Sequence, residues 1–219
     1  MKRGESIVRY TFAERSIHAL AAIVFVYLLL TGLAFWTPGL FWLAEALGGG
    51  FLSRLLHPWA GVLFFAFVVW MLVIWTNDMR TTDADRQWRR AIASYARNED
   101  ADVPSIGRFN YGQKMFFWGM AWSTILLLAS GVMLWFPDAQ SADAAWLRQA
   151  AIVIHAVSAL IAIGLFIVHV YMGVAVVPGS VHAIVHGDVT AEWAQHHHRL
   201  WADESAARPA PPSRVDRTR

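Results

Sequence analysis

Four histidines lie inside long apolar stretches of this sequence. They are His18, His57, His155 and His169, and the other five of the nine histidines fall between residues 182 and 198. An ionisable side chain at membrane depth is costly and usually marks a functional site. A single histidine in such a place can also serve only as an interhelical hydrogen-bond partner. Four of them at matched positions favour a shared role as ligands.

The spacing of the last two histidines places both on one helical face. His155 and His169 are 14 residues apart, which at about 100° and about 1.5 Å per residue is about 40° short of four turns and about 21 Å along the axis. In a bundle whose helices alternate in direction, His57 shares the level of His155 and His18 shares the level of His169. The predicted pairs are therefore His57 with His155 and His18 with His169.

Two neutral imidazoles that face each other across a helical bundle suit a haem iron, which takes both as axial ligands. Such a haem has no open position for oxygen or substrate and transfers electrons. Zinc and di-iron centres are the competing interpretations, but two histidines are too few for zinc, and a di-iron site needs carboxylates, which the apolar stretches lack. The sequence has no cysteine, which excludes iron–sulfur clusters, thiolate zinc sites and covalently attached haem within this chain.

The stretches that carry these histidines are long enough to cross a membrane. Of the 219 residues, 57% are hydrophobic and 16% are charged, whereas a soluble domain has about 25% charged residues. Four runs without Asp, Glu, Lys or Arg are 29, 23, 23 and 39 residues long, and about 20 residues suffice for a helical span. We expect spans near residues 17–36, 55–75, 115–136 and 150–177.

These spans predict an all-α integral membrane protein with a four-transmembrane-helix bundle. The bundle and its flanking segments form one domain, residues 1–201, and a Pro- and Arg-rich tail, residues 202–219, is expected to be disordered. The expected surroundings are a lipid bilayer, and we expect no nucleic-acid partner.

Basic residues are distributed unevenly along the chain. Sixteen of the 18 Lys and Arg residues lie in the N-terminal segment, the loop between spans two and three, and the tail, and only Arg54 and Arg148 lie in the other two loops. Because cytoplasmic loops carry the excess of basic residues, both termini are predicted to be cytoplasmic. The pair His57/His155 is then the outer pair, and His18/His169 is the inner pair.

Two arginines are candidates to bind haem propionates, which need cationic or hydrogen-bonding partners. Arg54 lies one turn before His57, and Arg15 occupies the equivalent place before His18. Either arginine can equally be an interfacial residue whose charged end reaches the membrane surface.

Several motifs, in order and at these spacings, resemble one family. They are RYTFxERxxH ending at His18, HPWAG from His57, FNYGQK at 109–114, the His155/His169 pair, and HGDVTxEWAxHHHRLW at 186–201. Over about residues 10–201 the chain resembles the cytochrome b (gamma) subunit of membrane-bound respiratory formate dehydrogenase.

The resemblance implies two haems b on the histidine pairs, and a quinone site beside the inner haem. Carried onto this sequence, that site comprises Asn110, Gly112, Gln113 and His169. Amide and backbone groups of these residue types hydrogen-bond a quinone oxygen, of menaquinone or ubiquinone. From the residues alone, a helix cap before the third span is the alternative for the segment 109–114.

The resemblance also implies partners at the bacterial inner (plasma) membrane: an iron–sulfur (beta) subunit and a molybdenum- or tungsten-containing catalytic (alpha) subunit, both outside. We expect formate to be oxidised in the partner, so that this chain has no catalytic residues of its own. Electrons then enter at the outer haem, cross to the inner haem and reduce quinone near the cytoplasm. Alternatives are the cytochrome b subunit of a related hydrogenase or thiosulfate reductase, and a haem-free membrane anchor.

Overall fold

The computed structural model describes residues 6–91, 97, 105–136 and 145–207. In chain order the elements are β1 (Ser6–Val8), α1 (Phe12–Trp36), α2 (Trp42–Ala46), α3 (Gly50–Trp75), α4 (Asp83–Trp88), α5 (Tyr111–Trp135), α6 (Ala145–Tyr171), a π-helical turn (Met172–Val176), α7 (Ser180–His186), β2 (Asp188–Thr190), α8 (Ala191–His197) and α9 (Arg199–Ala207). Short 3-10 turns at Pro38–Leu40 and Arg89–Ala91 complete the described segments.

Four of these helices are long and apolar enough to cross a membrane: α1, α3, α5, and α6 with its π-helical extension. Each begins four or five residues before the predicted span and ends within one residue of its predicted end. The starts lie earlier because the helices continue past the apolar segment and include charged residues such as Glu14, Arg54 and Lys114. Large apolar side chains such as Val73, Trp122 and Ile167 are exposed on these helices, as expected of surfaces that face lipid. The chain is a multi-pass membrane protein.

The helices pack in chain order, α1 on α3, α3 on α5, and α5 on α6. The centre of the bundle is a cluster of six buried residues: Ala21, Phe25, Phe64, Val68, Ala121 and Ala162. The Phe25 ring lies 5.5 Å from the Phe64 ring and 4.9 Å from the Phe166 ring, centroid to centroid. Along each helix these residues lie between the two histidine levels, so a dry apolar layer separates them.

The two ends of the described chain meet at one end of the bundle, called here the terminal end. Strand β1 pairs antiparallel with β2, with Ile7 opposite Val189. Gly187 joins this pair to α1, because its carbonyl accepts hydrogen bonds from the Arg9 and Tyr10 amides at 2.8 and 3.0 Å. Its φ of +97° and a carbonyl oxygen 2.8 Å from where a Cβ would stand both require glycine.

Helix α9 extends the ordered part of the terminal end to Ala207. The domain boundary predicted at residue 201 falls inside this helix, and Ala202 is fully buried. The helix continues there because Ala202 packs with Trp201 and Val189 in one apolar cluster. The rest of the tail, residues 208–219, lies outside the described residues.

Candidate functional site

The structure brings His18 and His169 together near the terminal end of the bundle. His18 lies on α1 and His169 on α6, and their ring centroids are 6.0 Å apart with planes inclined by 54°. The Phe116 ring, on α5, stacks on the His169 ring at 4.3 Å with planes 10° apart. Three helices therefore position this pair.

His57 lies on α3 and His155 on α6, and the two form the second level. Each Nδ1 contacts a hydroxyl of a neighbouring helix. Thr31 Oγ1 of α1 lies 2.7 Å from His57 Nδ1, and Ser130 Oγ of α5 lies 3.0 Å from His155 Nδ1. All four membrane helices contribute to this level.

The residues present fit haem iron as a ligand set. Two imidazoles would hold one haem iron between them, and the His18 and His169 rings face each other at 6.0 Å, centroid to centroid. The described residues contain no group of three or more His, Cys, Asp or Glu side chains able to hold a metal ion.

The two candidate propionate partners differ in their surroundings. Arg15 and His18 line an open cavity of about 300 Å³ that Val185 also lines. Arg15 donates one guanidinium hydrogen bond to the Val185 carbonyl, while its Nε is buried and has no partner within the described chain. Arg54 is exposed at the other end of the bundle.

The segment 109–114 caps helix α5. Asn110 Oδ1 accepts from the Gln113 amide at 2.8 Å, and Gln113 Oε1 accepts from the Asn110 amide at 2.9 Å. The two side-chain carbonyls are therefore engaged in a capping box, the alternative that the sequence left open. Gly112 is exposed, and a Cβ there would contact the Trp88 ring at 3.7 Å. Lys114 is buried and pairs with Asp85 at 2.7 Å.

The start of α5 lies close to the end of α6. Tyr111 packs in one apolar cluster with Met172 and Val176. These two residues belong to the π-helical turn, which begins three residues after His169. This contact brings the four residues implied for a quinone site to one region of the terminal end. Among the described residues, His169 makes no hydrogen bond to Asn110 or Gln113, whose side-chain carbonyls bond to each other's amides.

A buried carboxylate joins α1 to α3 and to the segment before α5. Glu14 accepts hydrogen bonds from Trp75 Nε1 at 2.7 Å, from Arg108 at 2.7 Å and from the Thr11 amide at 2.8 Å. Burial alone would lower the pKa of Arg108, but the carboxylates of Glu14 and Asp78 raise it above its ordinary value. This guanidinium therefore stays charged.

A second buried group, called here the terminal cluster, comprises Arg9, Trp193, His198 and Trp201. The Arg9 guanidinium lies 4.9 Å from the Trp193 ring and 5.2 Å from the Trp201 ring, and Arg9 donates to His198 Nε2 at 3.0 Å. Since Nε2 accepts, the proton is on Nδ1, which donates to the Gly107 carbonyl at 2.8 Å. Burial, and then the charge of Arg9, lower the pKa of His198 well below its ordinary value.

Sequence reasoning paired the four membrane histidines but missed the residues around them. Thr31 and Ser130 were not singled out, and His198 was given no role. A hydroxyl residue followed by glycine occurs at Thr31-Gly32 and again at Ser130-Gly131. That repetition in spans one and three is the signal that could have indicated them.

Comparison with known proteins agrees with these features. Residues 9–187 match the family described as prokaryotic cytochrome b561. The chain is 37% identical over 205 residues to the cytochrome b556(fdo) subunit of formate dehydrogenase from Escherichia coli K12, covering 93% of this chain and 95% of the relative. It is 30% identical to the nitrate-inducible cytochrome b556(Fdn) subunit of the same organism, covering 93% and 94%.

A relative from Haemophilus influenzae, named formate dehydrogenase, cytochrome b556 subunit, is 33% identical over 199 residues, covering 90% of this chain and 83% of the relative. These matches confirm the resemblance that the motifs indicated. The chain belongs to the prokaryotic cytochrome b561 family, in which it is similar to the cytochrome b556 subunits of formate dehydrogenases.

Proposed function

We propose that this chain carries electrons across the membrane for a formate dehydrogenase, from an external iron–sulfur subunit to quinone near the cytoplasmic face. The observation that carries the proposal is the pair His18 and His169, whose ring centroids are 6.0 Å apart inside a membrane bundle. On α6, His155 of the second pair lies 14 residues before His169, a distance of about 21 Å along the helix axis. Two pairs at this separation suit one carrier in each half of the bilayer.

Each pair would hold one haem b, with His18 and His169 as the inner ligands and His57 and His155 as the outer ligands. Bound haem supplies reversible one-electron transfer. The chain supplies neutral imidazoles, and an apolar layer around Phe25 that excludes water between the levels. A dry, low-dielectric surrounding limits solvent access to such a site and tunes its redox potential.

Arg15 is the better supported of the two propionate candidates. Its buried Nε lacks a hydrogen-bond partner in the described part of the chain, and it lines a cavity with His18. A propionate at that position would accept from this donor. Arg54, on the exposed surface one turn before His57, is the proposed partner for the outer haem.

The quinone site is proposed at the terminal end, between the start of α5 and the end of α6. Because the capping box uses only the carbonyl oxygens of Asn110 and Gln113, their amide N–H₂ groups remain donors for a quinone oxygen. Exposed Gly112 gives access to its backbone, and His169 is exposed beside Phe116. These four residues form the proposed site for menaquinone or ubiquinone.

The proposed orientation places the terminal end in the cytoplasm of a bacterium and the protein in its inner membrane. Sixteen of the 18 Lys and Arg residues lie in the segments at that end, as the positive-inside rule requires. The partners, an iron–sulfur (beta) subunit and a molybdenum- or tungsten-containing (alpha) subunit, then bind outside, beside the pair His57/His155.

The test is to purify the complex from native membranes through a tag on this chain. We expect formate, and neither hydrogen nor thiosulfate, to change the haem absorption, and quinone to reoxidise it. A molybdenum- or tungsten-containing subunit should co-purify. Reduction by hydrogen with a nickel–iron partner, or the absence of any haem absorption, would overturn the proposal in favour of a hydrogenase subunit or a haem-free anchor.

A further inference from the structure

The two histidines of the outer pair are held by the same device, a buried hydroxyl followed in sequence by glycine. Thr31 and Gly32 serve His57, and Ser130 and Gly131 serve His155. We propose that Thr31 and Ser130 are positioning residues that fix the tautomer and ring plane of the two outer histidines. This inference rests on the proposed binding of haem by that pair.

The hydrogen-bond directions determine the tautomer. Thr31 Oγ1 donates its own proton to the Tyr27 carbonyl at 2.8 Å, and Ser130 Oγ donates to the Leu126 carbonyl at 2.6 Å. With its proton on the carbonyl, each hydroxyl oxygen accepts from the imidazole, and this arrangement places the ring proton on Nδ1. The other nitrogen, Nε2, then carries the free lone pair that a metal ligand needs.

The absence of a side chain at Gly32 and Gly131 lets the His57 and His155 rings lie close to the backbones of α1 and α5. A Cβ at position 32 would stand 3.8 Å from His57 Cε1, and one at position 131 would stand 3.2 Å from His155 Cε1. The second distance is tighter than an ordinary carbon contact. Thr31 is fully buried and Ser130 nearly so, and each hydroxyl also lies within hydrogen-bond distance of a second carbonyl of its own helix, Leu28 at 3.2 Å and Leu127 at 3.3 Å.

A hydrogen bond from a hydroxyl to a backbone carbonyl is not by itself a sign that the hydroxyl positions a histidine. Serine and threonine in helices commonly donate to the carbonyl four residues earlier, and buried Thr124 does so to Met120 at 2.7 Å without contacting a histidine. Thr31 and Ser130 differ because each also accepts from an imidazole. Thr124, on the same helix as Ser130, is therefore a matched control.

The inner pair is built differently. Within the described residues neither His18 nor His169 has a hydrogen-bond partner on its ring, and His169 instead stacks on Phe116. A hydrogen bond donated by Nδ1 makes an imidazole a stronger donor to its metal and favours the oxidised metal. The device therefore lowers the potential of the outer site and leaves the inner site unaffected, which favours electron movement inward.

The experiment compares variants of the intact complex in membranes by redox titration of the two haems and by the electron paramagnetic resonance of the oxidised haems. In Thr31→Val and Ser130→Ala we expect the outer midpoint potential to rise and the outer resonance to shift, while the inner haem is unchanged. Thr31→Ser and the control Thr124→Val should match the native protein. Loss of the outer haem in Thr31→Val that Thr31→Ser restores also supports the proposal.

An unchanged outer potential and resonance in both hydroxyl-deleting variants would overturn it, as would an equal shift in Thr124→Val. Failure of the underlying haem assignment is distinguishable. In that case the native complex lacks a second haem, or His57→Ala retains it.

Discussion

The imidazole of His169 lies flat against the phenyl ring of Phe116, with centroids 4.3 Å apart and planes 10° apart. His169 is exposed, whereas His18 is half-buried. The stack therefore limits the rotation of the one ring in the inner pair that burial does not restrain.

Removing this stack should loosen the inner haem selectively. Phe116→Leu keeps an apolar side chain but loses a parallel aromatic contact of about 1 kcal/mol, so we expect about fivefold weaker retention of the inner haem and a broadened resonance from it. Phe117→Leu is the control, because Phe117 contacts Trp118 and the apolar cluster around Trp75 instead. Equal haem loss in the two variants would contradict a specific role for the stack.

Glu14 should be a major source of stability at the terminal end. Glu14→Ala leaves Trp75 Nε1 without its acceptor and removes one of the two carboxylates that pair with Arg108, and breaking a buried charge pair from one side costs about 3 kcal/mol. Thermal unfolding in detergent measures the loss. The control is Asp83→Asn, which breaks an exposed pair with Arg86 and should have almost no effect. Similar melting temperatures for the two variants would contradict the expectation that the Glu14 interactions contribute more stability than the exposed Asp83–Arg86 pair.

Acid should open the terminal cluster. Burial and the Arg9 charge hold the pKa of His198 well below its ordinary value, which is about 6.5. Below that pH the unfolded segment binds a proton that the folded one does not, so the stability falls as the pH falls. We expect faster hydrogen exchange at residues 187–202, after correction for intrinsic rates, at about pH 5.5 than at about pH 7.5.

The variant His198→Gln should remove most of this pH dependence, because glutamine can donate and accept at the same place without titrating. His186→Gln, at an exposed position, is the matched control and should leave the dependence intact. A pH dependence that survives in His198→Gln would mean that another group opens the cluster.

The orientation can be tested directly because the chain has no cysteine of its own. Glu45 lies at the end of the bundle away from the termini, and Ala206 lies at the terminal end. Both positions are exposed, so each can be replaced by a single cysteine, as Glu45→Cys and Ala206→Cys. In intact spheroplasts a membrane-impermeant thiol reagent should label the first and not the second. Labelling of Ala206→Cys without permeabilisation would reverse the proposed topology.

Local patterns were enough to predict the membrane helices, and they also predict that His155 and His169 share one helical face. The length of a run without charged residues is enough to predict a membrane-spanning helix. The spacing of 14 residues is enough to place His155 and His169 on one face of a helix. Each prediction depends on the sequence of a single segment. The role of the Asn110 segment was ambiguous because a helix cap and a quinone-binding segment need the same residue types. The capping box shows that these side chains already serve α5.

Contacts between distant segments could not be predicted in the same way. Arg9 and His198 are 189 positions apart, and nothing local indicates that a basic side chain is buried between two tryptophans. The contacts of Thr31 and Ser130 depend on the rotation of α1 and α5 about their own axes, which is set by packing against α3 and α6.

The haem content of histidine variants tests the central claim most directly. We predict two haems per chain in the native protein by pyridine haemochrome assay, loss of only the outer haem in His57→Ala and His155→Ala, and loss of only the inner haem in His18→Ala and His169→Ala. His186→Ala, outside both pairs, should keep two. Two haems in every one of the four pair variants, or none in the native chain, would contradict the account.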